Sequence, residues 1–245
     1  MSYNYYEMIK RQSEIIDNSD QEVLEKATVC VIGCGGLGGI VIDQLVRVGI
    51  GNLILVDEDI FDVSNFNRQL LSGLSTLSKS KVEVAKDHVL NVNPNINVDI
   101  FNDHVDMENI DNIVSGSDIV VDAVDNVLTR VIVSRKCHEL DIPFVHGAVE
   151  SSKGQVSVFM GDSPSYEELF QMKSFGKSIE GDILDYINNL SSYKPQVLGV
   201  CPCITGCLEV IEVIKFLCGF NDVIIAPNIL MFDVLDFNSF KIISL

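Results

Sequence analysis

A run of glycines followed by an acidic residue could bind a nucleotide. The glycines fall within six positions of one another, at Gly33, Gly35, Gly36 and Gly38. A glycine turn lets backbone N–H groups approach a phosphate, because no Cβ atom stands in the way. Asp57 follows two dozen residues after the first glycine, where an acidic side chain usually binds a ribose hydroxyl. These residues predict a nucleotide site.

The elements around the glycines support this interpretation. An apolar run at 29–32 predicts a buried strand, helical spacing of apolar residues predicts a helix from about 38, and a second apolar run at 53–56 predicts a strand ending at Asp57. The helix directs the positive end of its dipole toward the turn. Up to Asp57, an NAD site and an ATP site would look alike.

The segment 64–69, SNFNRQ, favours ATP. A dehydrogenase has no reason to place a polar, arginine-centred run just past its second strand, whereas a triphosphate needs such groups. The candidate nucleotide-binding residues in and beside this run are Asp59, Ser64, Asn65, Asn67, Arg68 and Gln69.

Lys81 is predicted in the first turn of a helix that ends at Asn93 and Pro94. That is the electrostatically unfavourable end of a helix for a cation. A phosphate arriving from the glycine turn would explain its position.

Asp125 and Asn126 follow a buried strand predicted at 118–121. Open α/β sheets bind ligands at the carboxyl ends of their strands, so both residues are candidate ligands. They could also serve only to cap the next helix, predicted at 127–140.

The remaining segments complete an α/β fold: a Rossmann-like, mostly parallel sheet flanked by helices, with N-terminal helices and a C-terminal antiparallel extension. The 245 residues are expected to form a single domain. Residues 161–196 are expected to be a long loop with one short helix near 183–190. The other predicted elements are one or two helices within 1–27, strands at 97–101, 143–149 and 155–160, helices at 107–114 and 204–220, and closing strands at 228–234 and 240–243.

The composition excludes several classes of protein. With 47% hydrophobic and 21% charged residues, the chain is too apolar for disorder. A net charge of −18 argues against a nucleic-acid partner. The apolar stretches are too short to cross a membrane, and the N-terminus lacks a signal-peptide core, so a cytoplasmic protein with free thiols is expected. A polyphosphate would be held by a few cations, with Arg11, Arg68, Lys81 and Arg130 as candidates.

Five motifs in order resemble the ubiquitin-activating-enzyme-like adenylyltransferases, the ThiF/MoeB/HesA family. They are GCGGLG, LVDEDIFDVSNFNRQ, Lys81 with its helix ending in NPNI, DAVDN, and VLGVCPCITGCLEVIEVIK. The resemblance implies that ATP adenylates the terminal carboxylate of a ubiquitin-like sulfur carrier ending in Gly-Gly, with release of pyrophosphate.

The resemblance also implies residue roles. Gly35 would approach the phosphates, Asp57 would hold the ribose, and Asn65 and Arg68 would contact the triphosphate. Lys81 would be the second fixed cation, and Asp125 would hold Mg²⁺. In a homodimer, Arg11 would reach the neighbouring protomer's ATP; taken alone, Arg11 reads as a solvated surface arginine.

The sequence departs from the family at two places. Ser165 and Glu168 stand where zinc-binding members have one Cys-x-x-Cys pair, and no cysteine follows Asp233, so no structural zinc is expected. Ser192 stands where the family's nucleophilic cysteine, where present, would lie. The enzyme is therefore expected to stop at the acyl-adenylate.

The remaining cysteines are expected to pack in the core, because free cysteine is among the most buried residue types. They are Cys34, Cys201, Cys203 and Cys207. Three other functions stay open: adenylation of a peptide carboxylate or a modified tRNA adenosine, a nucleotide-binding but inactive half of a heterodimer, and, most distantly, an NAD-dependent dehydrogenase.

Overall fold

A computed structural model of the chain describes residues 4–192 and 196–245. Within them, one sheet has the strand order β3-β2-β1-β4-β5-β6-β7-β8. The strands are β1 (Thr28–Ile32), β2 (Asn52–Val56), β3 (Asn97–Phe101), β4 (Ile119–Asp122), β5 (Phe144–Glu150), β6 (Lys153–Phe159), β7 (Asn228–Asp233) and β8 (Asp236–Ser244). The helices are α1 (Tyr5–Ile9), α2 (Asn18–Lys26), α3 (Gly38–Val48), α4 (Lys81–Val92), α5 (Ile110–Val114), α6 (Val127–Glu139), α7 (Tyr166–Leu169), α8 (Gly181–Leu190) and α9 (Val200–Leu217).

The sheet is parallel from β3 to β5 and antiparallel from β5 to β8. The predicted Rossmann-like sheet with a C-terminal antiparallel extension is therefore confirmed. The chain runs outward from β1 through β2 to β3 and then returns to place β4 on the other side of β1. Such a reversal leaves a crevice at the carboxyl ends of β1 and β4, the usual ligand position in open α/β sheets.

Each face of the sheet is covered by its own helices. Alternation along the buried strands sends Val29 and Val31 into one core cluster and Cys30 and Ile32 into the other. The first cluster is closed by residues of α3, α4 and α9, and the second by residues of α5, α6, α7 and α8. Within the described residues, no helix is both long and apolar enough to cross a bilayer.

The N-terminal prediction of one or two helices is confirmed by α1 and α2, which are separated by a 3₁₀ turn at Lys10–Gln12. Asp17 begins α2 by accepting hydrogen bonds from the N–H groups of Ser19 and Asp20, as expected of an N-cap. Residues 1–3 of this predicted arm lie outside the described part of the chain.

The short helix predicted near 183–190 is confirmed by α8, but the described part of the segment 161–196 also contains α7, which was not predicted. Tyr166, Met172 and Ile187 from this segment are buried in the second core cluster. Helix α7 is a single turn, too short to give a helical apolar period. Ser165 begins it by accepting a hydrogen bond from the N–H of Glu168, so these two residues form a helix cap.

Several predicted boundaries were wrong. Helix α9 begins at Val200 and not at 204, since Pro202 fits in a first helical turn, where no N–H is needed. Helix α5 begins three residues later than predicted, and β8 extends beyond 240–243 at both ends.

Candidate active site

A cavity of about 820 Å³ opens at the carboxyl ends of β1, β2 and β4, at the reversal of strand order. This volume lies within the usual range for small-molecule sites. The predicted nucleotide-binding residues that line it are Gly33, Gly35, Gly36, Asp57, Asp59, Ser64, Asn67, Arg68, Gln69, Lys81, Asp125 and Asn126. Gly38, Asn65 and Arg11 do not line it.

The glycine turn needs glycine at two positions for different reasons. Gly33 has φ +100°, and a Cβ there would lie 2.6 Å from the carbonyl oxygen of Ala123. A Cβ on Gly38 would lie 1.8 Å from the carbonyl oxygen of Gly33. Gly38 therefore allows the turn to pack closely against Gly33 on the side away from the cavity, whereas Gly35 and Gly36 line the cavity.

Asp57 joins the end of β2 to this turn. One carboxylate oxygen accepts a hydrogen bond from the N–H of Cys34 at 2.7 Å, and the other accepts one from the N–H of Asp59 at 2.8 Å. Burial raises the pKa of Asp57, and the neighbouring Lys81 and these N–H groups oppose the shift. The carboxylate thus fixes the turn and borders the cavity.

Two cations border the glycine-turn end of the cavity. Lys81 lies in the first turn of α4, as predicted, with its side chain buried and its Nζ 2.8 Å from Asp59 Oδ2. The Asp59 side chain is 66% exposed. Arg68 Nη1 donates to the Ser64 carbonyl oxygen and to Asn67 Oδ1, at 2.9 and 3.0 Å. Both cations hold exposed partners that a phosphate could replace.

The SNFNRQ segment divides into supporting and cavity-lining residues. Asn65 is buried, and its Oδ1 accepts a hydrogen bond from the Asp62 N–H within a capping box of the 3₁₀ helix Val63–Asn65. Gln69 lines the cavity beside Gly35. The Oε1 atom of Gln69 is buried without a hydrogen-bond partner in the described structure, so it is available to a donor from a ligand.

Asp125 and Asn126 lie in the loop between β4 and α6, and both line the cavity. Asn126 is also the N-cap of α6, because its Oδ1 accepts a hydrogen bond from the Thr129 N–H at 2.8 Å. The next backbone N–H, on Val127, donates to Ser191 Oγ at 2.8 Å. Capping and a position at the cavity therefore coexist at Asn126.

Arg130 was predicted as a candidate cation for a polyphosphate but was not among the predicted nucleotide-binding residues. Arg130 is buried, lines the cavity and pairs with Asp122. Several polar residues that line the cavity were not predicted from the sequence; they lie on the loops after β2 and β3, at the end of β5 and near α9. They are Glu58, Asp103, His104, Glu150 and Gln196. The rule that carboxyl ends of parallel strands share one edge could have found Asp103 and His104, which follow the predicted strand at 97–101.

The cavity is acidic. Among the described residues that line it, six carboxylates face three permanent cations. The carboxylates are Asp57, Glu58, Asp59, Asp103, Asp125 and Glu150, and the cations are Arg68, Lys81 and Arg130. A triphosphate would therefore need additional positive charge at this site.

The cysteines near the site differ in burial. Cys34 and Cys201 are buried, as predicted, and Cys203 is intermediate. The prediction of core packing was wrong for Cys207, which is exposed on the outer face of α9. Ser192, at the position of the family's nucleophile, donates its hydroxyl to the Asn189 carbonyl oxygen.

The predicted roles of Arg11 and of a bound magnesium ion each need a group from outside this chain, a second protomer or a nucleotide. Arg11 is exposed on the N-terminal 3₁₀ turn, and its role at a neighbouring protomer stays a prediction. Among the described residues, no three or more His, Cys, Asp or Glu side chains are arranged to hold a metal ion by themselves.

The sequence matches the ThiF family over residues 9–245. The chain belongs to the ThiF family. The resemblance noted in the motifs is thereby confirmed, and the cavity beside the glycine turn lies within the matched region.

Curated relatives are similar over most of the chain. The molybdopterin-synthase adenylyltransferase of Haemophilus influenzae is 35% identical over 82% of this chain and 78% of its own length. The SAMP-activating enzyme E1 of Haloferax volcanii is 34% identical over 87% of this chain and 75% of its own length. A probable molybdopterin-synthase adenylyltransferase of Porphyra purpurea is 35% identical over 91% of this chain, which spans only 56% of that relative.

Solved structures share the fold of this ThiF-family chain. The crystal structure of Escherichia coli MccB with ATP has a TM-score of 0.79 and 23% identity, and the match covers 100% of this chain and 71% of MccB. The crystal structure of selenomethionine PaaA has a TM-score of 0.77 and 21% identity, covering 100% of this chain and 74% of PaaA.

Proposed function

We propose that this ThiF-family protein is an ATP-dependent adenylyltransferase that activates the C-terminal glycine carboxylate of a ubiquitin-like sulfur-carrier protein. The observation that carries the proposal is the convergence of Asp57, Arg68, Lys81 and Asp125 on one cavity beside the glycine turn. The names of the Haemophilus and Haloferax relatives support it.

In the proposed reaction, a carboxylate oxygen of the carrier attacks the α-phosphorus of ATP. A new P–O bond forms, the bond to the bridging oxygen breaks, and pyrophosphate leaves with the electron pair. Both reactants are anionic, so catalysis requires positive groups where charge develops. Lys81 and Arg68 supply them once the triphosphate replaces Asp59 and the Ser64 carbonyl as their partners.

The residues present fit a magnesium ion bound together with ATP. Magnesium is usually held by one or two carboxylates plus substrate phosphates, so it needs no three-residue protein cluster. Asp125 would hold it at the cavity. When bound, the ion would neutralise phosphate charge and reduce the excess of carboxylates in the cavity.

A homodimer would add further positive charge. Exposed apolar side chains lie on the segment 63–74, just before α9 and on α9: Val63, Leu70, Leu74, Leu198, Val200 and Ile211. Exposed apolar side chains of this kind would fit burial against a second copy of the chain. Arg11 of each protomer would then extend into the acidic cavity of the other. A cytoplasmic location also stays a prediction.

The test is ATP–pyrophosphate exchange with and without ubiquitin-like carriers ending in Gly-Gly. We expect exchange only with a cognate carrier, and at least about a hundredfold loss in Asp125→Ala, the size expected for removing one group that stabilises developing charge. Asp162→Ala, an exposed residue that does not line the cavity, is the matched control. Exchange without any carrier, or equal exchange in both variants of confirmed fold, would contradict the proposal.

A further inference from the structure

The end of strand β4 carries a buried charged cluster. Asp122, the last residue of β4, has a side chain only 1% exposed. Its Oδ2 accepts hydrogen bonds from Arg130 Nε at 2.5 Å and from His146 Nδ1 at 2.7 Å. The parallel register of β4 and β5 pairs Asp122 with His146, so the sheet itself brings these two residues together.

Asp122 and Arg130 also hold both backbone polar groups of one residue, Val124, in the next loop. Asp122 Oδ1 accepts a hydrogen bond from the N–H of Val124 at 3.2 Å, and Arg130 Nη2 donates to the carbonyl oxygen of Val124 at 2.9 Å. The residue after Val124 is Asp125. Its backbone position is therefore fixed from the N-terminal side by Asp122 and Arg130.

Gln155 and Tyr166 contact the charged cluster and orient two of its side chains. The amide nitrogen of Gln155 lies 3.0 Å from His146 Nε2. An amide NH₂ can only donate, so Nε2 accepts and the proton of neutral His146 lies on Nδ1, facing Asp122. Burial lowers the pKa of His146, which agrees with the neutral form. Tyr166 packs its ring over the Arg130 guanidinium, with 5.9 Å between Cζ and the ring centroid.

Stability alone does not account for this cluster. Buried ion pairs seldom stabilise a protein more than well-packed apolar residues of similar volume would, but they can fix one geometry among several. Burial opposes ionisation of Asp122, yet Arg130 and His146 outweigh it and lower the pKa of this carboxyl. The ionised cluster thus persists at neutral pH and holds the loop in one arrangement.

We propose that Arg130 is a positioning residue that, with Asp122, clamps the loop 123–126 so that Asp125 faces the cavity. Arg130 lines the cavity wall, but its Nε and Nη2 atoms are engaged with Asp122 and Val124. Its contribution passes through the loop and not through contact with the phosphates. The inference rests on the proposed function, in which Asp125 holds Mg²⁺ together with ATP.

The test is Arg130→Lys, which keeps the charge but cannot hold both Asp122 and the Val124 carbonyl oxygen. The matched control is Arg135→Lys. Arg135 lies on the same helix and makes a two-point ion pair with Glu167, at 2.6 and 2.8 Å, but does not line the cavity. Melting temperature, calorimetric binding of ATP at several Mg²⁺ concentrations and amide hydrogen exchange are measured for both variants.

For Arg130→Lys we expect faster exchange at the amides of 123–127 and a Kd for ATP with Mg²⁺ raised about tenfold, since a small misplacement of a binding group has large effects. The weakening should shrink when Mg²⁺ is omitted. Arg135→Lys should lower the melting temperature comparably, while its Kd stays within about twofold of the wild type. Equal Kd values for the two variants, or unchanged exchange at 123–127 in Arg130→Lys, would overturn the proposal.

Gln155→Ala keeps the test decisive if Arg130→Lys does not fold. This change removes only the group that orients His146, so loop exchange should rise and the Kd should increase about two- to fivefold; no change in either would overturn the clamp. Wild-type protein that fails to bind ATP would contradict the proposed function instead. Hydrogen exchange without nucleotide would still decide whether the clamp exists.

Discussion

Lys81 and Arg130, which line the cavity in the described part of the chain, form ion pairs that differ in how a ligand could reach them. Asp59, the partner of Lys81, has a side chain 66% exposed, whereas Asp122, the partner of Arg130, is 1% exposed. An exposed carboxylate can return to water when a phosphate displaces it, but a buried one cannot be released without a large desolvation cost. Lys81 is therefore a cation that substrate can reach, whereas Arg130 maintains the structure of the site.

Removal of the two acidic partners gives the largest expected difference. Asp122→Ala leaves Arg130 buried without its partner and should lower the free energy of unfolding by about 3–5 kcal/mol. Asp59→Ala removes an exposed partner and should change it by less than about 1 kcal/mol. Urea unfolding of both variants checks this prediction. Equal losses would mean that the two ion pairs do not differ as described.

Lys81→Ala tests the pair that is available to substrate. Loss of one preorganised group at a developing negative charge typically reduces the rate about a hundred- to a thousandfold, so pyrophosphate exchange should fall by that factor. Lys79→Ala, at an exposed position two residues earlier, is the control and should keep wild-type exchange. A Lys81→Ala variant that folds and exchanges normally would remove this cation from the mechanism.

A buried carboxyl group on the opposite face of β5 gives the third prediction, which has the smallest expected effect. Glu209 on α9 packs against Gly147, and neither of its carboxyl oxygens has a hydrogen-bond partner in the described structure. Burial raises its pKa well above the ordinary value of 4.5. The folded protein keeps this proton while the unfolded chain loses it, so stability falls as the pH rises from 4.5 toward the folded-state pKa.

Glu209→Gln should remove this fall. Relative to wild type, the variant should gain about 1.4 kcal/mol per pH unit while the folded carboxyl stays protonated and the unfolded one is ionised. Glu212→Gln is the control on the same helix, since buried Glu212 accepts hydrogen bonds from Lys215 and the N–H of Ile224; it should destabilise the protein. Denaturant unfolding at pH 6, 7 and 8 measures both, and a pH-independent difference for Glu209→Gln would contradict the assignment.

Lys81 and Arg130 also differ in how well the sequence predicts their positions. Lys81, Asp57 and the glycine turn follow from local patterns, because a strand, a turn and a helix start are each encoded within a few residues. The cluster of Asp122, Arg130 and His146 depends on the pairing of β4 with β5. The sequence pattern within β4 or β5 alone does not predict that these two strands pair.

The wrong predictions have similar physical causes. Helix α7 is too short to show a period, and its buried face depends on contacts with α6 and the neighbouring cluster. Cys207 was assigned to the core by residue type, but a long apolar helix such as α9 can leave one face uncovered in a single chain. The contact of Asn65 with the triphosphate, implied by the resemblance, stays a prediction; the structure shows its side chain in a capping box.

The most direct test of the adenylation proposal is intact mass spectrometry of candidate Gly-Gly-ended carriers incubated with the protein, ATP and Mg²⁺. The account predicts a carrier bearing one added AMP at its C-terminal glycine, formed with wild-type protein and lost with Lys81→Ala. Pyrophosphate release without AMP on any carrier, or AMP attached at a site other than the terminal carboxylate, would contradict it.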